Sequence, residues 1–196
     1  MCIRDSVNSR VVPWNMIGRD GISLAEQFKE DADAYLSVCA PAMPNYFSMG
    51  CGPNFTIANG PVLSALGFVS DYILTWAKKI AEEDIHSICV KDDVVEAYNI
   101  YLQQVLRRTA WNRECESWYK KGRKDEYRTG ITAIYPGSMM HFKSMLQQIR
   151  PEDFEVKYRS NNRFKFFGNG LTALDLEDSP DLSYYLADTM RLDSIM

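Results

Sequence analysis

Apolar residues recur with helical spacing along one long stretch of the chain. Val62, Leu66, Val69, Ile73, Trp76 and Ile80 follow one another at steps of four, three, four, three and four. That spacing predicts a helix over about 61–82 with a single buried stripe. Just upstream, 45–49 is a short apolar run fit for a buried strand, and Gly50, Gly52 and Pro53 form a turn. Asn59, Gly60 and Pro61 make a second break, with Pro61 suited to the first helical position and Asn59 or Gly60 to the cap. The unit is strand, glycine turn, helix, with the helix N-terminus pointing back at the turn. Free N–H groups and the positive end of the dipole there can meet an anion or a polarised carbonyl. The same pattern also makes an ordinary strand-to-helix connection.

The rest of the chain is read around this unit. Extended character runs over 7–17, Gly18–Gly21 is a turn, and 22–30 predicts a short helix through Leu24 and Phe28. A short strand is expected at 35–40. A second amphipathic helix spans 92–108, with Val94, Val95, Tyr98, Tyr101, Leu102 and Val105 on its buried face. Asp92 and Asp93 at its start and Arg107 and Arg108 at its end complement the macrodipole. Residues 109–129 are polar and aromatic and read as a long surface loop of the functional kind. A strand at 131–135, a turn, and a helix over 138–149 capped by Ser138 follow. Phe154, Val156 and Tyr158 alternate with polar residues, as do Phe164 and Phe166, so 153–167 predicts a β-hairpin turning at Asn161 and Asn162. The fold class is mixed α/β.

Composition narrows the function classes. The chain has 196 residues, 46% of them hydrophobic and 24% charged, as in a globular protein with a real core. A net charge of −4 argues against nucleic acid as a partner, and no apolar run is long enough to span a membrane. The five cysteines (Cys2, Cys39, Cys51, Cys89, Cys115) are scattered without a CxxC pair and read as reduced thiols in a cytoplasmic protein, with no metal site. Residues 1–6, MCIRDS, read as a non-native tail ahead of a natural chain that begins near Val7.

Local motifs do not name a reaction. Gly168 to Ala173 matches GxGxxA, but the acidic stretch with Pro180 that follows is no crossover helix. The two histidines, His86 and His141, have no metal-ligand spacing, and Ser138 lacks a nucleophile elbow. His141 is expected to be a satisfied, partly buried histidine. Arg107, Arg108, Arg113, Lys120, Lys121, Arg123, Lys124 and Arg128 interleave with Trp111, Trp118 and Tyr119. That cluster reads as a nucleic-acid surface, as a seat for cofactor phosphates, or as a solvated face balanced by nearby acids.

Several segments, in order, resemble the C-terminal part of Baeyer–Villiger monooxygenases, above all fungal members of secondary metabolism. They are IGRDGISLAEQF at 17–28, AYLSVCAPAMPNYFSMGCGPN at 34–54, NGPVLSALGFVSDYILTW at 59–76, SWYKKG at 117–122, IYPGS at 134–138 and NRFKFFGNG at 162–170. The resemblance implies a Rossmann-like flavoprotein that uses FAD, NADPH and O2 to insert oxygen into a ketone. In that family the strand–turn–helix unit closes the FAD domain, and its helix start meets the pyrimidine edge of the flavin. Carried over, Gly52, Pro53 and Asn54 form the turn near the flavin, and Asn59, Gly60 and Val62 the helix start beside it. Ile57 and Ala58 match the substrate-pocket loop, and Trp118 matches a tryptophan on a mobile lid over NADP and substrate.

Both Gly-rich dinucleotide fingerprints and the FxGxxxHxxxW signature are absent from these residues. The resemblance therefore implies the last third of an oxidoreductase, inactive and flavin-free by itself and supplying no catalytic acid or base. Residues 7–82 would close the FAD domain, 83–186 would form the helical, lid and hairpin region, and 187–196 a tail. The alternative is a stand-alone, non-enzymatic binding domain derived from such an enzyme.

Overall fold

A computed structural model describes residues 15–30, 32–50, 53–58, 60–114, 117, 119, 120, 122, 124–177 and 183. The chain divides into two compact units, Met1–Arg159 and Ser160–Met196. In the first unit the elements are α1 (Leu24–Glu30), α2 (Val62–Glu82), β1 (Ile85–Val90), α3 (Asp92–Leu106), α4 (Met139–Leu146) and β2 (Phe154–Tyr158). The mixed helix-and-strand class expected from the sequence is thus found.

The three predicted long helices are present, each with a physical adjustment. Helix α2 starts one residue later than expected, with Pro61 as its N-cap residue and Val62 its first helical residue. Its buried positions are Ala65, Val69, Tyr72 and Trp76. Helix α3 buries Val95, Asn99, Leu102, Gln103 and Leu106, while Tyr101 is 44% exposed. Its inner face is turned toward two amides that the apolar pattern passed over, because irregular backbone opposite them needs donors and acceptors. Helix α4 is shorter than predicted, and Ser138 caps it as expected, its Oγ accepting from His141 N at 3.1 Å.

The strand assignments are corrected. β2 does not turn back on 164–166 but pairs antiparallel with β1, Val90 opposite Phe154 and Ile88 opposite Val156, with an irregularity between Ile85 and Ser87. β1 carried no alternation for the sequence pattern to catch, since Ile88, Cys89 and Val90 are all buried in succession. The run at 45–49 is not a strand. Asn45 adopts φ 57° and serves as a bridging group at β1, its N–H donating to Ile88 O (2.9 Å), its Oδ1 accepting from Ile88 N (3.0 Å) and its Nδ2 donating to His86 O (3.2 Å). The segment 35–40 folds on itself: Tyr35 and Cys39 exchange both backbone bonds, and Leu36 and Ser37 take left-handed φ of 53° and 62°. The segment 131–135 is buried but irregular. Hydrophobic residues from all these pieces meet in one core, where Trp76 lies 4.6 Å from Phe154 and Tyr35 packs edge-on to Phe154 at 5.7 Å. Leu24 and Phe28 of α1 form a smaller cluster with Ala32, Ala40 and Met43.

The second unit has the short turns Lys165–Phe167 and Leu174–Leu176. No crossover helix follows the GxGxxA stretch among its described residues. Thr172 N and Oγ1 both donate to Asp175 Oδ2 at 2.7 Å, holding that carboxyl below its ordinary pKa. No described helix is long and apolar enough to cross a membrane.

Candidate functional site

The turn before α2 is fixed from three sides. Asn54, 2% exposed, takes φ 55°, a conformation that asparagine tolerates better than most residues. Its N–H donates to Thr132 O (2.8 Å) and its Nδ2 to Ile134 O (3.0 Å) and Ile131 O (3.5 Å). Its carbonyl accepts from Ser37 Oγ (2.7 Å). Phe55 O accepts from Tyr135 N (3.1 Å), and the Phe55 ring stands edge-on to Phe142 of α4 at 5.6 Å. Pro53 is buried, Ile57 is half-buried against the core, and Ala58 is exposed. Thr56 is fully buried, and its Oγ1 has no partner among the described residues.

Beyond the turn the chain opens. Gly60 is exposed with φ 152°, and a Cβ there would sit 2.8 Å from Met139 Cε, so the starts of α2 and α4 approach each other. Pro61 offers no side-chain cap to α2. The first helical bonds are those of Ser64 and Ala65 N–H to Pro61 O. The amides of Val62 and Leu63 therefore have no described acceptor. Val62 is 39% and Leu63 82% exposed, so these two amides are framed by apolar surface. A long helix with an uncapped, apolar-rimmed N-terminus is suited to a flat ring whose edge accepts hydrogen bonds or gathers negative charge.

Gly52, Asn59 and Trp118 lie outside the described residues. The loop flanking position 118 is nevertheless tied to the turn through one residue: Thr132 N donates to Tyr119 O (3.1 Å) while Thr132 O accepts from Asn54 N. Trp111 backs Tyr119 edge-on at 5.5 Å. The apolar pattern missed the amides that organise this wall. Gln103 Nε2 donates to Ile131 O (3.0 Å), and its Oε1 accepts from Thr129 N (2.9 Å) and Thr129 Oγ1 (2.7 Å). Asn99 Nδ2 donates to Val95 O (2.7 Å) and Ala34 O (3.3 Å). The only signal in the sequence was a pair of amides four residues apart beside Val95, Leu102 and Leu106. Arg128 of the basic cluster makes a two-pronged, partly buried pair with Asp33 (2.9 and 2.6 Å), a partner far along the chain that the solvated-face reading did not include. His141 is exposed, unlike the partly buried residue expected, but is satisfied: its Nδ1 is bonded to Tyr135 OH. Among the described residues no group of acids, cysteines and histidines could hold a metal ion.

No protein-family model matches the sequence. The chain is 40% identical over 185 residues to the FAD-binding monooxygenase tazF of Aspergillus terreus, covering 94% of this chain and 33% of that one. It is 34% identical over 175 residues to the FAD-binding monooxygenase stcW of Emericella nidulans, covering 89% of this chain and 28% of that one. Its fold matches a cyclohexanone monooxygenase mutant from Rhodococcus sp. Phi1 bound to NADP+ (TM-score 0.63, 18% identity, 79% of this chain and 28% of that one). It also matches an oxidised steroid monooxygenase bound to NADP (TM-score 0.66, 15% identity, 78% and 28%). The chain spans about a third of the length of the curated relatives it matches. It is a homologue of the FAD-binding monooxygenases, folded as the C-terminal part of Baeyer–Villiger monooxygenases is.

Proposed function

We propose that the chain forms one wall of an FAD- and NADPH-dependent monooxygenase that inserts one oxygen atom of O2 into a ketone. The observation that carries this reading is the N-terminus of α2, without a side-chain cap among the described residues and rimmed by Val62 and Leu63, at the end of a turn pinned by Asn54. In this reading Gly52, Pro53 and Asn54 hold the turn against the flavin, and Asn59, Gly60 and Val62 bring the helix start to its edge. Residues 7–82 close the FAD-binding domain, and 83–186 carry the lid and the outer wall. The flavin, once reduced by NADPH, supplies the electrons that activate O2.

The chain's own residues then bind, orient and exclude water. The amides of Val62 and Leu63 would offer hydrogen-bond donors to negative charge on a bound flavin. Ile57 and Ala58 line the side on which the ketone sits, and Trp118 covers it from the loop anchored at Thr132. Shutting out water protects the activated oxygen from being lost as hydrogen peroxide. One oxygen atom enters the C–C bond beside the carbonyl, giving an ester or lactone, and the other leaves as water. The chain supplies no acid or base to this step and is expected to be inactive alone.

A chimera tests this: the chain replaces the matching third of the Aspergillus terreus relative. The expected result is a yellow protein that oxidises NADPH when a cyclic ketone is added, while the chain alone stays colourless. Stoichiometric flavin on the isolated chain, or a folded chimera without flavin, overturns the proposal.

A further inference from the structure

Helix α2 is apolar on two sides. At about 100° per residue, Ala65, Val69, Tyr72 and Trp76 make the face that meets the core. A surface helix carries its polar residues on the opposite face. On α2 that opposite face is Leu63, Gly67, Ser70, Leu74 and Ala77, at steps of four, three, four and three. Its charged residues Asp71, Lys78 and Glu82 are displaced to one flank. Leu63 is 82% and Leu74 65% exposed. Met49, half-exposed, extends the patch beside Ser70, whose Oγ donates to its Sδ at 3.8 Å.

Gly67 gives this face its meaning. It stands in mid-helix, where glycine costs about 1 kcal/mol against alanine. No described atom lies within 4 Å of the place its Cβ would take, so no contact in the structure requires a bare backbone there. A glycine between two exposed leucines lets a second backbone come close, with a leucine anchoring it on either side. The relatives have the chain to do this. This chain covers 33% of the Aspergillus terreus monooxygenase and 28% of the steroid monooxygenase, so about two-thirds of each lies outside the match. With its charges on one flank only, the face suits an apolar partner.

We propose that the Leu63–Gly67–Leu74 face of α2 docks the part of an FAD-binding monooxygenase that this chain does not match. An apolar element of that part crosses α2 at Gly67. The inference rests on the reading of this chain as one wall of such an enzyme.

The test sets the full 196-residue chain against the chimera with the Aspergillus terreus relative. In the chain alone Gly67→Leu meets open space and removes a poor helix former, so the melting temperature should rise by roughly 2–4 °C. In the chimera the same side chain collides with the docked element, and the melting temperature should fall by roughly 2–5 °C. Leu74→Glu should leave the chain alone within about 2 °C and lower the chimera further than Gly67→Leu does. Shifts of the same sign in both proteins, or a wild-type chimera that does not fold, overturn the inference. Pairing of the chain with a second copy that Leu74→Glu abolishes, with the chimera indifferent to both substitutions, assigns the face to self-association and overturns it too. Flavin content and ketone oxidation by the wild-type chimera report on the monooxygenase reading separately. A flavin-loaded, active chimera that shifts as the chain alone does would remove the docking face and leave that reading standing.

Discussion

Along α2 the buried residues are Ala65, Val69, Tyr72 and Trp76, and the backbone bonds are made within the helix. Along 32–50, 53–57 and 129–135 the chain is just as buried, yet almost none of it is regular. There Ser37, Asn54 and Thr129, together with Asn99 and Gln103 reaching in from α3, satisfy the backbone of neighbouring turns, often across long sequence separations. A helix face needs only apolar residues at the right spacing, because its polar groups are already paired. An irregular wall needs particular side chains at particular points. The first region should therefore tolerate changes of shape, and the second should tolerate none that remove an amide.

The largest expected effect tests whether the two regions share one cooperative core. Tyr72 stands on α2 and Tyr98 on α3, while Tyr35 and Tyr135 stand in the walls, and burial pushes all four phenols above their ordinary value. The unfolded chain ionises these groups near pH 10 and the folded chain resists. Their stabilising contribution is thus fully present below about pH 10 and lost as pH rises from there through the native values. The four together lose on the order of 4 kcal/mol one unit above that point. Tyrosine ionisation and loss of helical circular dichroism should follow one curve. Two separate curves would mean that the walls open on their own.

Next in size is Asn54→Leu. It removes the donor to the Ile134 and Ile131 carbonyls and puts a bulkier side chain at φ 55°. A loss of about 3–5 kcal/mol in urea unfolding is expected. Gln103→Leu comes third at about 2–3 kcal/mol, because Ile131 O and Thr129 N lose their partners. Its neighbour Leu102→Met, on the same helix and fully buried, should stay within about 1.5 kcal/mol. Equal losses for the Leu102 and Gln103 variants would break the distinction between apolar packing and an amide that holds the irregular wall.

The same distinction explains how much could be read from the sequence. The helices were legible because spacing alone carries them. Ser138 was legible because a serine before an apolar run has a local job. β1 and β2 were not paired correctly, since pairing across α3 leaves no local mark and Ile88, Cys89 and Val90 do not alternate in burial. The left-handed turn at Leu36 and Ser37 carries no glycine to announce it. Asn45 reads as the start of an apolar run until its backbone N–H and its side-chain Oδ1 are seen paired with Ile88 O and Ile88 N. At the site, a helix starting after the break at Gly60 and Pro61 could be foreseen, although the cap was expected at Asn59 or Gly60 and Pro61 holds the N-cap position. The pinning of Asn54 by Ile131, Thr132 and Ile134 could not, because those partners lie far along the chain.

The smallest effect sharpens the contrast at a helix end, where a regular element borrows the logic of the walls. Ser138 Oγ accepts from His141 N and answers one amide of α4 that the helix itself cannot. Ser138→Ala should cost about 1 kcal/mol, and Ser138→Asp should restore it, since aspartate caps as well and suits the positive end. For a chain of this length that is a melting-temperature drop of roughly 2–4 °C. Met139 packs where a Cβ on Gly60 would fall, so fraying the start of α4 should loosen the start of α2 as well. Hydrogen exchange would show this as faster exchange at Val62 and Leu63 in Ser138→Ala. Unchanged exchange there, with the same loss of stability, would mean that each helix start is held by its own turn.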